Sequence, residues 1–99
     1  MAAPLQRPDL YVVVRILEAL ARHERRLKRT NLQVASGVNY TQFVRYLDFL
    51  AERGLVAAVP GENGSATVEL TARGYDAMMF IARSIREYLG DVTRGPIGG

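Results

Sequence analysis

The segment "NYTQFVRYLDFLAERGLV", residues 39–56, sets a hydroxyl, an amide and a guanidinium close together: Thr41, Gln42 and Arg45. The chemistry open to such a set is recognition by hydrogen bonding. Gln pairs bidentately with adenine and Arg with guanine, each pairing worth about 1 to 3 kcal/mol of discrimination when the geometry is good. Tyr40 and Tyr46, read as flanking the trio, offer phosphate hydrogen bonds or sugar packing. Arg25, Arg26, Lys28 and Arg29, in "RHERRLKRT", offer cations to phosphates, contacts that position without specifying. Other chemistries are poorly supplied. With no cysteine, disulfides, thiol chemistry and thiolate zinc sites are excluded, and the single histidine, His23, assembles no multi-histidine metal centre. Asp48 and Glu52 read as solvated acids on a helix face. No nucleophile, base and orienting group converge, so neither catalysis nor a cofactor is expected.

Charge points the same way. The net charge of +3 understates a local excess: residues 22–53 hold seven basic and three acidic residues, while 1–21 balance and 54–99 hold four basic and five acidic. A cationic middle third is the pattern of a face offered to a polyanion. The plainer alternative is a solvated, arginine-rich loop.

The elements that must position these groups follow from periodicity and caps. "MAAPLQRP", residues 1–8, has two prolines and no period, and reads as a flexible lead-in. A helix is expected over 9–25, capped by Asp9, with Leu10, Val13, Val14, Leu17 and Leu20 at helical spacing and Arg15, Glu18 and Arg22 on the wet side. Val12, Ile16 and Ala19 make its apolar arc wider than one packing face requires. A short strand over 27–29 precedes Thr30, which caps a helix over 31–37, and Gly37 supplies the positive φ of a helix end. Asn39 then caps a helix over 40–53. Two helices joined by a tight glycine-bearing turn are a helix-turn-helix, whose second member enters a groove. On a projection of that second helix Thr41, Gln42 and Arg45 stand opposite Phe43, Leu47 and Leu50, ahead of Asp48 and Glu52, whose carboxylates phosphates would repel. Only its front end suits a nucleic acid. Phe49, on the wet side, calls for a covering element.

Residues 55–70 read as a β-hairpin turning at "GENGS", placed to cover Phe49. The glycines there lack the lysine and Ser/Thr spacing of a nucleotide loop. A helix over 72–89 carries a heptad-like stripe, Tyr75, Met78, Ala82, Ile85 and Leu89, broadened by Ile81 and Tyr88, and residues 91–99 read as a disordered tail. Both outer helices being over-wide, a homodimer interface is expected at Val12, Ile16, Met78, Ile81, Ile85, Tyr88 and Leu89. No apolar run approaches the length of a membrane span, and no secretory leader is evident.

The pattern of Phe43, Tyr46, Leu47 and Leu50 with "GLV" at 54–56, a hairpin, and "LTARGY" at 70–75 resembles the archaeal winged-helix DNA-binding family, which includes transcriptional regulators and small dimeric chromatin-associated proteins. The likeness covers roughly residues 9–90. It implies a mainly α fold with a small β-hairpin, a winged helix-turn-helix plus a C-terminal helix. It further implies that helix 40–53 lies in the major groove of double-stranded DNA, with base reading by Thr41, Gln42 and Arg45. The loop basics would touch backbone. The wing holds Glu62 and Glu69 without Lys or Arg, leaving Asn63 and Ser65 as neutral hydrogen-bonders. The expectation is a dimeric, cytoplasmic, nucleoid-associated transcriptional regulator. A chromatin protein of little sequence specificity, or a protein-interaction module that binds no DNA, are the alternatives. Nothing in the residues points to a small-molecule effector.

Overall fold

Asp9 opens helix α1 (Leu10–Arg22), its carboxylate accepting from the Tyr11 N–H at 2.8 Å. The computed structural model describes residues 7–61 and 66–90. Where a helix to residue 25 was expected, α1 stops at Arg22, with His23 as C-cap and Glu24 and Arg25 at φ of 61° and 67°. No glycine marks this turn, and the polar run "RHERR" at 22–26 carries no stop signal to fix the helix end. Each left-handed non-glycine residue costs about 1–2 kcal/mol, and bonds on both sides offset the strain. The Arg25 N–H donates to Leu20 O at 2.8 Å, and the Arg25 carbonyl accepts from the Leu70 N–H at 2.8 Å.

Strand β1 (Arg26–Lys28) and helix α2 (Arg29–Ser36) follow. Both begin earlier than their expected bounds. Thr30 therefore lies inside the first turn of α2; Lys28 takes the N-cap position, without a side-chain cap. Gly37 adopts φ of 70°, and the chain turns into α3 (Tyr40–Glu52), capped by Asn39, whose Oδ1 accepts from the Gln42 N–H at 2.9 Å. Strands β2 (Val56–Pro60) and β3 (Ala66–Leu70) form the antiparallel wing, and α4 (Ala72–Leu89) closes the described chain.

The sheet is larger than a hairpin. β1 pairs antiparallel with the free edge of β3, giving the order β1-β3-β2, with Arg26 opposite Glu69 and Lys28 opposite Thr67. Leu27 points the other way, opposite Val68, and packs on the core. Burial of this alternate row fixes the register, since a one-residue slip would turn Leu27 into solvent.

The core is built around α1. Ile16, Leu17, Ala19 and Leu20 are fully buried, packed with Leu32, Phe43 and Leu50. The extra apolar width of α1 is thus spent within this chain. Truncating a Leu in this cluster to Ala costs about 2–5 kcal/mol.

The "LTARGY" segment has a specific structural task. Thr71 Oγ1 accepts from the Gly74 N–H at 2.9 Å, capping α4, and lies 2.6 Å from Gly54 O and 3.0 Å from Leu55 O, to which it donates its proton. A Cβ at Gly74 would sit 1.9 Å from the Leu55 carbonyl oxygen. Thr71 and Gly74 therefore press the start of α4 against the chain leaving α3.

Candidate nucleic-acid interface

Tyr40 and Thr41 begin α3 and are exposed, Tyr40 at 66%; Gln42 and Arg45 are half-buried beside them. The trio shares the outward side of α3, and Asp48 and Glu52 are exposed further along the helix. Phe43, Tyr46, Leu47 and Leu50 fill the opposite side.

Tyr46 is a correction. It was expected to flank the exposed patch as a backbone contact, yet it is 4% exposed and its hydroxyl accepts from the Asp9 N–H at 2.8 Å. The reason is helical: position 46 lies one turn from Phe43 and Leu50 and so shares their buried arc. Phe49 packs against the rim of the core, and the Arg53 guanidinium stands 4.1 Å from its ring centroid. At the edges of the buried arc, Val44 is half-buried and Ala51 exposed.

The cationic segment divides. Arg25 lays its guanidinium 4.4 Å from the Tyr75 ring centroid, and Arg26 forms an ion pair with Glu69 across the β1–β3 register. Lys28 is exposed and Arg29 half-buried. The wing sheet is accordingly not devoid of cations, because β1 adds Arg26 and Lys28 to it. Asn63 and Ser65 lie outside the described residues, as does most of the expected lead-in and the whole expected tail.

Side chains clamp the turn ahead of α3. Arg15 Nη2 donates to Gly37 O at 3.1 Å, Gln33 Nε2 donates to Val38 O at 2.6 Å, and Ser36 Oγ donates to Gln33 O at 3.0 Å. Sequence reasoning placed Arg15 merely on the wet side of α1. No local pattern marks a contact that spans 22 residues.

The expected partner face is largely used up inside the chain. Val12, Ile16, Met78 and Ile85 are buried in it, because α1 sits at the centre of the core and the α4 stripe packs against it. Ile81 is half-buried, while Tyr88 at 80% and Leu89 at 58% remain exposed on the last turn of α4. Phe80, on the charged side of α4, is also exposed. Among the described residues no group of three or more His, Cys, Asp or Glu could hold a metal ion, and no helix is long and apolar enough to cross a membrane.

A family model described as winged helix-turn-helix matches residues 6–89. No curated protein matches the chain. Among solved structures, Sso10a-2, a DNA-binding protein from Sulfolobus solfataricus, is similar at TM-score 0.70 and 27% identity, over 84% of this chain and 85% of that one. A winged-helix DNA-binding protein from STIV is similar at TM-score 0.73 and 14% identity, over 81% of this chain and 92% of that one. The M. tuberculosis transcriptional regulator MosR, solved in complex with DNA, is similar at TM-score 0.69 and 24% identity, over 88% of this chain and 62% of that one. The last two likenesses, at 14% and 24% identity, establish a shared fold.

Proposed function

The chain belongs to the winged helix-turn-helix family, and from that premise we propose that it is a dimeric duplex-DNA-binding protein, a transcriptional regulator that inserts the front of α3 into the major groove. One observation carries this reading: Thr41 is exposed at the N-terminal end of α3, with Gln42 and Arg45 half-exposed beside it. The acids Asp48 and Glu52 follow towards the far end, so phosphate repulsion favours entry by the front turns alone. The likeness to Sso10a-2, described as DNA-binding, and to MosR bound to DNA, supports the same reading. Lys28 and Arg29 serve as phosphate contacts beside the groove. Arg25 and Arg26 are cations already engaged by Tyr75 and Glu69. A dimer paired through the exposed end of α4 reads successive major grooves if its twofold axis sets the two copies of α3 about 34 Å apart. A DNA-bound regulator of this kind is cytoplasmic and nucleoid-associated.

Selection of bound duplexes from a random pool tests the proposal, and enrichment of a palindrome is the expected result. Replacing Gln42 and Arg45 together by Ala is expected to cut preference for the selected duplex by about tenfold or more, leaving weak general binding. Unchanged preference removes the base-reading role.

The rival reading is a winged-helix protein-interaction module, favoured by the exposed aromatic Phe80 on α4. Anisotropy titration separates the two. DNA binding weakens steeply as salt rises, whereas an interaction module shows little affinity for duplex at any salt.

A further inference from the structure

We infer that α1 is a two-point mount for α3, with Arg15 and Tyr46 as positioning residues for the base-reading side chains. The inference rests on the DNA-binding reading for its consequence and on two hydrogen bonds for its substance. Midway along α1, Arg15 Nη2 donates to Gly37 O at 3.1 Å. At the start of α1, the Asp9 N–H donates to the Tyr46 hydroxyl oxygen at 2.8 Å. Gly37 lies just ahead of α3 and Tyr46 near its middle. The two bonds therefore grip the helix on either side of the turns that carry Thr41, Gln42 and Arg45.

Core packing of Phe43, Leu47 and Leu50 already holds α3 against α1, but apolar contacts carry little direction. The two directed attachments, one in the turn before α3 and one near its middle, about 9 Å along the helix from Tyr40 to Tyr46 at 1.5 Å per residue, add restraint on tilt and axial position relative to α1. The neighbouring carbonyl of the turn, Val38 O, is already taken by Gln33 at 2.6 Å, so the turn is held from α2 as well. Neither contact is required merely to fill space. Arg15 is exposed and Tyr46 is buried, where a phenyl ring would occupy nearly the same volume. What the guanidinium and the hydroxyl add is direction. Bidentate pairing with a base edge tolerates only tenths of an ångström before the hydrogen bonds weaken, so a mount of this kind acts on selectivity more than on general affinity.

The test uses the full chain with Tyr46→Phe, Arg15→Met and Arg15→Lys. Two quantities are read: the affinity ratio between a duplex selected from the random pool and its scrambled counterpart, and amide hydrogen exchange over residues 38–45. Tyr46→Phe and Arg15→Met are each expected to lower the ratio about fivefold, the equivalent of one net hydrogen bond, and to speed exchange over 38–45. Arg15→Lys, which keeps a donor and the charge, is expected to recover most of the ratio. Wild-type ratios and exchange in both deletion variants overturn the mount; so does an equal loss on selected and scrambled duplexes, which assigns Arg15 to charge alone. If the wild-type chain binds no duplex at low salt, the DNA reading fails separately. Hydrogen exchange then decides the mount, and unchanged protection over 38–45 overturns it.

Discussion

Glu69 shows how a single carboxylate alters the reading of a whole basic cluster. In the sequence it counts against the wing as an acid facing phosphates; in the fold it lies opposite Arg26 in the β1–β3 register and forms an ion pair with it. The pair is solvent-exposed on its Arg side, so its own contribution to stability is at most about 1 kcal/mol. The same carboxylate bears on binding, because it holds a cation that a phosphate would otherwise attract. Glu69→Gln is therefore expected to raise duplex affinity and to steepen the log–log salt dependence by about 0.9 per subunit, the release accompanying one more phosphate contact. Anisotropy titrations at several salt concentrations check this, and a slope unchanged from wild type removes Arg26 from the interface. Tyr46 and Arg15 make the converse point. Their side-chain types were legible, but whether they face water, core or a carbonyl depends on partners 37 and 22 residues away.

Among the elements, the junction of α3, β2 and α4 is where a short motif translates most directly into structure. Thr71 and Gly74 join the chain leaving α3 to the start of α4, and the packing leaves no room for a side chain at position 74. Gly74→Ala places a Cβ against rigid backbone and is expected to lower stability by about 3 kcal/mol or more, as overpacking and backbone displacement combine. Thr71→Val removes the cap and the proton given to the preceding carbonyls, at a cost of about 1–2 kcal/mol, while Thr71→Ser keeps both. Thermal or denaturant unfolding ranks the three variants; a Gly74→Ala protein as stable as wild type contradicts the close approach. Helix ends were less legible than helix existence. α3 has Asn39 and Gly54 as punctuation, whereas α1 ends in "HERR", where Glu24 and Arg25 adopt left-handed conformations that residue type does not advertise.

For the molecule as a whole, the open question of assembly moves to the far end of α4. Val12, Ile16, Met78 and Ile85 are buried within one chain, so Ile85→Glu is expected to destabilise the domain itself and does not test its assembly. Tyr88 and Leu89 continue the α4 stripe beyond the body of the domain and stay uncovered. Tyr88→Glu with Leu89→Glu is accordingly expected to change the unfolding free energy by no more than about 0.5 kcal/mol at dilutions where wild type is monomeric, as for exposed positions generally. The same pair is expected to convert a dimer to a monomer in light scattering. A dimer surviving both changes places its interface elsewhere.

Periodicity, caps and glycine placement are local quantities, and they sufficed for the helix-turn-helix, the wing, the closing helix and the polar front of α3, because the pattern that selects a helix and its buried face is written within a few residues. The addition of β1 to the sheet, the burial of Tyr46, the engagement of Arg25 and Arg26, and the grip of Arg15 on Gly37 were beyond that reach. Each arises from chain segments brought together only when the core closes around α1, and side chains of one type then meet entirely different neighbours.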